Sequence, residues 1–238
     1  MARIHRKGFE LQTEYYRYNF FCLIGVIVAA IGVIVHLTMM FTHQLFFAGP
    51  FSGIVIIIPG MAILAFCGGK RNSLKAGIEA EEKTMRIISR LPESYTAITN
   101  VKVAFEGKVS EMDMVVAGPT GVFVIETKSR RGDITGDADG KYLYQTKGNF
   151  ETYTTKFYNP MKQVGTHVFR LSNCLKKNGI NMWVQGVVFF NADDVDLDGY
   201  TNIPYFTDGN EMLDYIIKRV PKEPVTEEMI NKTLRLFW

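Results

Sequence analysis

Three charged residues at the ends of two consecutive apolar runs are the residues of this chain best placed to do chemistry. Residues 111–116 contain Asp113, and residues 122–128 end in Glu126-Thr127-Lys128 after a turn between Gly118 and Gly121. The pattern predicts a β-hairpin. Because side chains alternate between the two faces of a strand, Glu126 and Lys128 are expected on one face.

The register of this hairpin decides whether the charges meet. One register places Asp113 opposite Glu126, and a shift by one residue, with Gly121 as a bulge, places Met114 there instead. Only the first leaves one face wholly apolar, and burial of one face specifies register strongly, so we expect the first. Two carboxylates that face each other repel, which favours a divalent cation between them. The alternative is a surface ion pair that closes the hairpin.

A fourth charged residue lies on a predicted helix before the hairpin. Apolar residues recur there with helical spacing, and the pattern stops before Pro92; the positions are Leu74, Ile78, Met85, Ile88 and Leu91. Glu81 falls within this stripe. A carboxylate on a core-facing stripe is costly unless it is paired. Glu81 therefore either joins the hairpin charges or lies at the edge of the stripe and reaches water.

Two long apolar segments precede these elements. Residues 19–41 and 45–67 each hold 23 residues without Lys, Arg, Asp or Glu, long enough to span a bilayer. They predict a retained transmembrane hairpin, the alternative being two buried core helices. Basic residues flank the pair and are missing from the connector 42–44, so the positive-inside rule predicts both termini in the cytoplasm.

Composition excludes several other classes. The three cysteines are isolated from one another, and no Cys-x-x-Cys or histidine pairing accompanies them, so neither a zinc framework nor a disulfide framework is expected. The part of the chain after residue 69 carries nearly equal numbers of basic and acidic residues. Bulk charge therefore gives no strong nucleic-acid footprint.

The soluble part is predicted to be a mixed α/β domain with helices on both faces of a central sheet. A short polar linker, 68–73, is expected to lead into the first helix. Asn159 and Pro160 predict the start of another helix, which Asn178-Gly179 ends. The remaining expected elements are strands at 95–105, 141–146, 150–154, 182–190 and 203–206, and helices at 208–218 and 226–237.

Four short motifs, in order, resemble those of the NERD (nuclease-related) domain family over roughly residues 75–190. They are Gly77-Ile78-Glu79-Ala80-Glu81, Ser110-Glu111-Met112-Asp113, Gly121-Val122-Phe123-Val124-Ile125-Glu126-Thr127-Lys128 and Asn159-Pro160-x-x-Gln163. That family is grouped with the PD-(D/E)xK restriction-endonuclease-like fold. Ala80, where the family often has glycine, and Thr127 are departures that remove no catalytic group.

The resemblance implies a nuclease-like active site made of Glu81, Asp113, Glu126, Lys128 and Gln163. In this site Asp113 and Glu126, with Glu81 as a further contact, would hold Mg²⁺ or Mn²⁺. Lys128 would serve the attacking water, and Gln163 would orient the site or the substrate backbone.

The expected organisation is a cytoplasmic segment at 1–18, two transmembrane helices within 19–67, the nuclease-like domain at 75–190, and a C-terminal part at 191–238 that completes it or is appended to it. The expected function is metal-dependent hydrolysis of DNA or RNA by an integral membrane protein, on the cytoplasmic side of a bacterial inner membrane. The alternatives are a non-catalytic module that binds nucleic acid or protein, and an interaction protein whose charges form only a stabilising network.

Two weaker motifs remain. Residues 194–199 match the first half of an EF-hand calcium loop, but Tyr205 occupies the twelfth position and no helix precedes it, which favours a solvated acidic turn. Basic residues from Lys128 onward interleave with aromatic ones, and such a pattern would suit unpaired bases, although sheet packing is the favoured interpretation. The aromatic residues are Tyr142, Tyr144, Phe150 and Tyr153.

Overall fold

A computed structural model of the 238-residue chain describes residues 1–41, 53–130, 132–148, 152–192, 194–221 and 223–237. The chain divides into two compact units. One unit is Phe9–Glu79, and the other combines Met1–Gly8 with the chain from Ala80 onward. The predicted connector 42–44 and the first residues of the second apolar segment lie outside the described residues.

Two long helices dominate the first unit. Helix α1 is Glu10–Phe41 and helix α2 begins in this unit and covers Ile54–Ile88; both are long and apolar enough to cross a membrane. Only 17% and 11% of their most apolar windows are buried. A core helix of a soluble protein would be mostly buried, which these two helices are not.

Small residues let these two helices approach closely. A Cβ atom added at Gly60 would lie 2.7 Å from the backbone nitrogen of Ala29, and one added at Gly32 would lie 2.7 Å from Cγ1 of Ile57. Neither position has room for a side chain unless the helices separate. Close backbone contact of this kind is typical of helices that pack within a bilayer.

The predicted linker at 68–73 is wrong, because α2 runs through it without interruption. Gly68 and Gly69 each cost about 1 kcal/mol relative to alanine in a helix. Propagation of an existing helix is nevertheless much easier than nucleation of a new one, and no proline intervenes here. Ser73 is therefore an interior residue of α2 and not the start of a helix.

The second unit is built on a six-stranded mixed sheet. Its strands are β1 (Arg3–His5), β2 (Thr96–Phe105), β3 (Lys108–Gly118), β4 (Gly121–Ser129), β8 (Val184–Asn191) and β10 (Tyr205–Phe206). They lie in the order β1-β2-β3-β4-β8-β10. Strands β2, β3 and β4 are antiparallel, whereas β4 pairs with β8 in parallel. Strand β1 was not predicted, and it joins the sheet by parallel pairing with β2.

A second sheet of four strands has the order β7-β6-β5-β9. Its strands are β5 (Asp133–Asp137), β6 (Tyr142–Lys147), β7 (Tyr153–Tyr158) and β9 (Asp194–Asp198). The acidic turn expected at 194–199 is therefore wrong over most of its length, because β9 pairs in parallel with β5. Val195 and Leu197 alternate with the exposed aspartates and pack on the small-sheet core. An extended strand does not present its carboxylates as a calcium loop does.

Helices cover both faces of the large sheet, as predicted. The end of α2 and helix α4 (Gly209–Lys218) pack on one face, and helices α3 (Pro160–Lys177) and α5 (Glu227–Arg235) pack on the other. The first face is filled by residues such as Ile88, Phe123, Ile125 and Ile216. The second is filled by residues such as Val124, Leu171, Leu175 and Leu234. The chain thus has the predicted restriction-endonuclease-like α/β architecture, with two apolar helices near its N-terminus.

Candidate active site

The hairpin adopts the register in which Asp113 lies opposite Glu126. Met114 pairs with Ile125, Val116 pairs with Phe123, and the turn closes between Gly118 and Gly121. The last paired residues of the ladder are Met114 and Ile125. The two acidic residues therefore stand where β3 and β4 begin to separate.

The Asp113 carboxylate lies between the two strands at this point and replaces a backbone hydrogen bond. Its Oδ2 accepts a hydrogen bond from the backbone N–H of Thr127, at 2.8 Å. The strict alternation predicted for β3 fails here, because Met112 packs in the same core as Val115, whereas Met114 packs in the opposite one. Asn100 of β2 has φ 52°, and the ladder between β2 and β3 skips Asn100 and Asp113. This left-handed residue is the local irregularity that shifts the alternation.

Glu126 lies at the centre of a buried polar cluster. Its side chain is 2% exposed, and its Oε1 accepts hydrogen bonds from Nζ of Lys128 and from Nε2 of Gln163, both at 2.6 Å. The same lysine donates to Oε1 of Gln163 at 3.1 Å. Each of the three side chains thus contacts the other two. Such a closed triangle fixes the orientation of the Glu126 carboxylate.

The start of α3 determines where Gln163 lies. The Asn159 side chain accepts a hydrogen bond from the backbone N–H of Met161 at 2.9 Å, and Pro160 occupies the first turn, as predicted. The Asn159 amide also donates to the carbonyls of Ala138 and Gly140, which anchors the helix start on the small sheet. Gln163 follows one turn later and so enters the cluster from a fixed position.

His167 also belongs to this cluster and was not predicted. Its Nε2 lies 3.6 Å from Oε2 of Glu126 and 3.5 Å from Nε2 of Gln163. Burial, followed by the charges of Arg170 and Lys128, lowers the pKa of His167 to about 4, so the imidazole is neutral at physiological pH. The sequence held one signal for it, since residues four apart share a helix face.

Burial raises the pKa of three carboxylates in this region, and the charge of Asp113 adds to the shift of the other two. Burial, and then the charge of Asp113, raises the pKa of Glu126 to about 7. Burial also raises the pKa of Asp113, although the Thr127 N–H and Lys128 oppose the shift. Glu81, on α2, has its pKa raised to about 7 by burial and then by Asp113. The charge of Asp113 thus acts on both Glu81 and Glu126.

Glu81 is half-buried, between the two positions considered from the sequence. An unexpected neighbour is Arg6, whose charge lowers the pKa of Glu81. Arg6 also forms an ion pair with Glu82, with 3.6 Å between Nη2 and Oε1. Arg6 follows directly after β1, so the pairing of β1 with β2 places the Arg6 guanidinium next to these acidic residues.

Thr127 occupies the other face of β4. Its hydroxyl donates to Oγ1 of Thr84 at 3.0 Å, and the Thr84 hydroxyl donates to the carbonyl of Ala80 at 3.0 Å. Thr84 is fully buried. The Thr127 hydroxyl, which points to the apolar side of β4, therefore has a hydrogen-bond partner. This contact connects β4, which carries Glu126, to α2, which carries Glu81.

The residues fit a cation only in part. Over the described ranges, no three or more His, Cys, Asp and Glu side chains form a group that could hold a metal ion. Oε2 of Glu126 is nevertheless buried and has no hydrogen-bond partner among the described residues. A buried carboxylate oxygen without a partner is costly. A cation held by one or two carboxylates, with water and phosphate oxygens completing its shell, would remove that cost.

Comparison with known proteins agrees with the four motifs. Residues 76–191 match the family model of the nuclease-related domain, NERD. An uncharacterised protein of Bacillus anthracis is 28% identical over 163 residues, which cover 60% of this chain and 76% of the relative. No solved structure matches the chain. Through residues 76–191, just under half of its length, this chain is similar to the nuclease-related (NERD) domain family.

Proposed function

We propose that this chain is a membrane-anchored nuclease that hydrolyses phosphodiester bonds of DNA or RNA with the help of a divalent cation. The observation that carries this proposal is the asymmetry of Glu126. One of its oxygens accepts hydrogen bonds from Lys128 and Gln163, while the other is buried and finds no hydrogen-bond partner in the part of the chain that the structure describes. A purely structural ion network would have no reason to leave that oxygen unsatisfied.

The proposed roles follow from the contacts. Asp113 and Glu126 are the residues that would hold Mg²⁺ or Mn²⁺, with Glu81 as a further or indirect contact through Asp113. The cation would supply Lewis acidity toward the phosphate and toward the attacking water. Lys128 is 23% exposed and lies against Glu126, so its ammonium can stabilise charge that develops on the phosphate. Gln163 would hold the Glu126 and Lys128 side chains in a fixed position relative to each other.

A non-catalytic binding module is the second candidate. It is favoured by the hydrogen bonds that Lys128 makes to both Glu126 and Gln163, because a lysine held in this way already has a structural role. The two candidates predict different results for metal-dependent cleavage.

The decisive experiment uses the full chain in detergent micelles. Labelled single-stranded DNA, duplex DNA and RNA are incubated with the protein in Mg²⁺, in Mn²⁺ and in EDTA. We expect cleavage in the metal buffers alone, and a loss of at least about 100-fold with Glu126→Gln or Lys128→Ala, the range seen when preorganised charge is removed. Two surface changes, Glu228→Gln and Lys218→Ala, serve as controls because each removes one exposed partner of an (i,i+4) ion pair.

Each outcome separates the candidates. Equal cleavage by Glu126→Gln and by the wild type would overturn the site assignment. Binding of a substrate without cleavage of any of them would favour the binding module.

We also propose that the nuclease-related domain faces the cytoplasm. The support is the distribution of basic residues on both sides of the two apolar helices, together with their absence from residues 42–44. In a bacterial host, fusion of green fluorescent protein to the C-terminus should fluoresce, whereas fusion of alkaline phosphatase should be inactive. An active phosphatase fusion would contradict this orientation.

A further inference from the structure

We infer that the outer face of strands β6 and β7 binds an unpaired segment of nucleic acid, so that the substrate of the proposed nuclease is single-stranded. This surface, the tyrosine patch, consists of Tyr142, Tyr144 and Tyr158 with the adjoining Lys141 and Lys156. The inference rests on the proposed function in taking nucleic acid as the substrate. It concerns residues that take no part in the cluster around Glu126.

The three tyrosines lie on the face of the small sheet that points away from its core. Leu143 and Phe157 alternate with them along β6 and β7 and are buried, whereas Tyr142, Tyr144 and Tyr158 are 39%, 47% and 47% exposed. Packing against a core, the interpretation favoured from the sequence, therefore does not describe these rings. Contiguous exposed surface of this kind marks an interaction site more often than isolated apolar residues do.

The tyrosines form one continuous surface with the two lysines. Tyr142 pairs with Tyr158 across the strands, with ring centroids 6.3 Å apart, and Tyr144 pairs with Lys156. The Lys156 and Lys141 ammonium nitrogens lie 5.3 Å and 5.4 Å from the centroid of the Tyr142 ring. Aromatic rings on which bases can stack, beside ammonium groups that can meet phosphates, are the two components of a surface that binds single strands.

The spacing along β6 favours unpaired bases. Tyr142 and Tyr144 are two residues apart on one face, which places them about 6.8 Å apart along an antiparallel strand. Successive bases of a duplex strand are stacked about 3.4 Å apart. Two neighbouring bases that contact the two tyrosines must therefore be unstacked from each other. A single strand permits this arrangement, and a regular duplex does not.

The rest of this face is acidic. Strands β5 and β9 place exposed aspartates there in register with one another; they are Asp133, Asp137, Asp194, Asp196 and Asp198. Phosphates are repelled by these carboxylates. A flat anionic lipid surface would meet both halves of the face, whereas a single strand is narrow enough to follow β6 and β7 alone. The charge pattern therefore favours a single strand over a membrane as the ligand.

The patch adjoins the helix that carries Gln163. Tyr158 directly precedes Asn159, which caps α3 and whose backbone N–H donates to the carbonyl of Lys141 at 3.1 Å. The carbonyl of Asn159 accepts a hydrogen bond from the N–H of Gln163 at 3.2 Å. One helical turn, about 5.4 Å along the axis, thus separates the end of the patch from the backbone of a residue that contacts Glu126. A strand bound on the patch lies next to the candidate active site.

The test measures binding in EDTA, so it is independent of cleavage. The full chain in detergent micelles is titrated into fluorescein-labelled oligothymidylate of about 20 nucleotides, longer than the site of a typical single-strand-binding fold. A duplex of the same length is titrated in parallel, and fluorescence anisotropy gives both affinities. We expect the single strand to bind at least about 10-fold more tightly, because its bases are free to stack on the tyrosines.

Tyr144→Ala is the main variant, because Tyr144 pairs with a lysine and not with another ring. It should lower the affinity for oligothymidylate about 5- to 150-fold, whereas Tyr144→Phe, which keeps the ring, should change it less than about twofold. Tyr144→Thr, with a residue that suits a strand, replaces the alanine variant if that variant lowers the thermal midpoint. Lys156→Ala should lower the slope of log affinity against log salt by about 0.7, the value for one phosphate contact on a single strand.

Two controls separate this face from general surface effects. Of the other aromatic residues in the segment, Phe150 lies outside the described residues, and Tyr153 is 57% exposed on the opposite face of β7. Tyr153→Ala should therefore change the affinity for oligothymidylate less than about twofold. Asp196→Asn, on the acidic half of the outer face, should not lower it.

Each outcome bears on the inference. Equal affinity of the wild type and Tyr144→Ala would overturn it, as would tighter binding of the duplex. The titration is repeated in nanodiscs of zwitterionic phosphatidylcholine, where a loss of oligonucleotide binding would assign the patch to the lipid surface and also overturn the inference. Tyrosine-dependent binding of the single strand without cleavage in Mg²⁺ or Mn²⁺ would uphold the inference and contradict the proposed function. Metal-dependent cleavage with binding that does not depend on the tyrosines would do the reverse.

Discussion

At the scale of single residues, Glu126 is the most constrained group in the site. It is almost fully buried. Two donors bind one of its oxygens, and none within the described ranges binds the other. Hydrogen bonds to a charged group contribute about 1.5 to 3 kcal/mol each, and a missing one costs a comparable amount. The orientation of this carboxylate therefore depends mainly on Gln163 and Lys128.

Gln163→Ala tests that dependence. The substitution leaves Oε1 with the lysine as its only donor among these neighbours, and the carboxylate can then rotate. We expect metal-dependent cleavage to fall about 10- to 100-fold, as when a partner that orients a ligand is removed. Gln185→Ala is the control, because the Gln185 amide donates to the adjacent Gly186 carbonyl at 3.0 Å and not to a residue of the site. Equal activity of the two variants would show that Gln163 has no orienting role.

The raised carboxylate pKa values predict how the metal-free protein responds to pH. Glu81 and Glu126 have pKa values near 7 in the folded chain, against 4.5 ordinarily, so the folded state retains protons that the unfolded state has lost. The free energy of unfolding therefore falls as pH rises through this window. The lowered pKa of His167, about 4 against 6.5 ordinarily, has the opposite effect on the free energy of unfolding. We expect the two glutamates together to outweigh this single histidine.

In EDTA, the thermal midpoint should thus be higher at pH 5 than at about pH 8. Glu126→Gln should flatten this slope, since the amide does not titrate. Mn²⁺ added at the higher pH should raise the midpoint, because a ligand that binds the folded state stabilises it. A midpoint that rises steadily with pH in EDTA would contradict the expected sign.

At the scale of elements, the sequence contained most of the fold. Strong periodicity and capping residues located β3, β4, α3 and α4, because Asn159 and Asp208 cap their helices as expected. The sequence did not predict strands that have no strand-like pattern of their own and form only by pairing with a neighbour. Strand β1 has three residues and β9 is acidic, and each is a strand only because a neighbour pairs with it.

The site shows the same division. The register of the hairpin followed from the need to bury one face. The shift in alternation at Met112 did not, because it depends on the left-handed conformation of Asn100 in a neighbouring strand. Arg6 was also beyond prediction, since its approach to Glu81 requires β1 to pair with β2.

The continuity of α2 through Gly69 leads to a prediction at this scale. A Cβ atom added at Gly69 meets no atom of the described residues within 4 Å. Gly69→Ala should therefore stabilise the helix by up to about 1 kcal/mol, whereas Gly69→Pro should destabilise it by about 2 kcal/mol. Circular dichroism at the helical minimum and the thermal midpoint report both effects. Equal tolerance of alanine and proline would indicate a linker instead of a helix.

At the scale of the whole molecule, the packing of α1 against the start of α2 depends on glycine. Gly60→Leu would place a side chain where the Cβ atom alone lies 2.7 Å from the Ala29 nitrogen. We expect a lower thermal midpoint in micelles and faster proteolysis between the helices. Gly68→Leu, at a position with open space in the same helix, should show neither change. If both variants behave alike, close packing of these helices is not important for stability.

The edge strand β1 has a topological consequence for the path of the chain. Residues 3–5 are hydrogen-bonded to β2, so the chain must leave this domain and return to it, with both apolar helices in the excursion. If those helices enter a bilayer, the chain crosses it an even number of times whatever the flanking charges are. Ribosomal synthesis also produces β1 before either helix and β2 only after both. The sheet can therefore gain its sixth strand only after both helices have been synthesised, and only then can β1 bring Arg6 to Glu81.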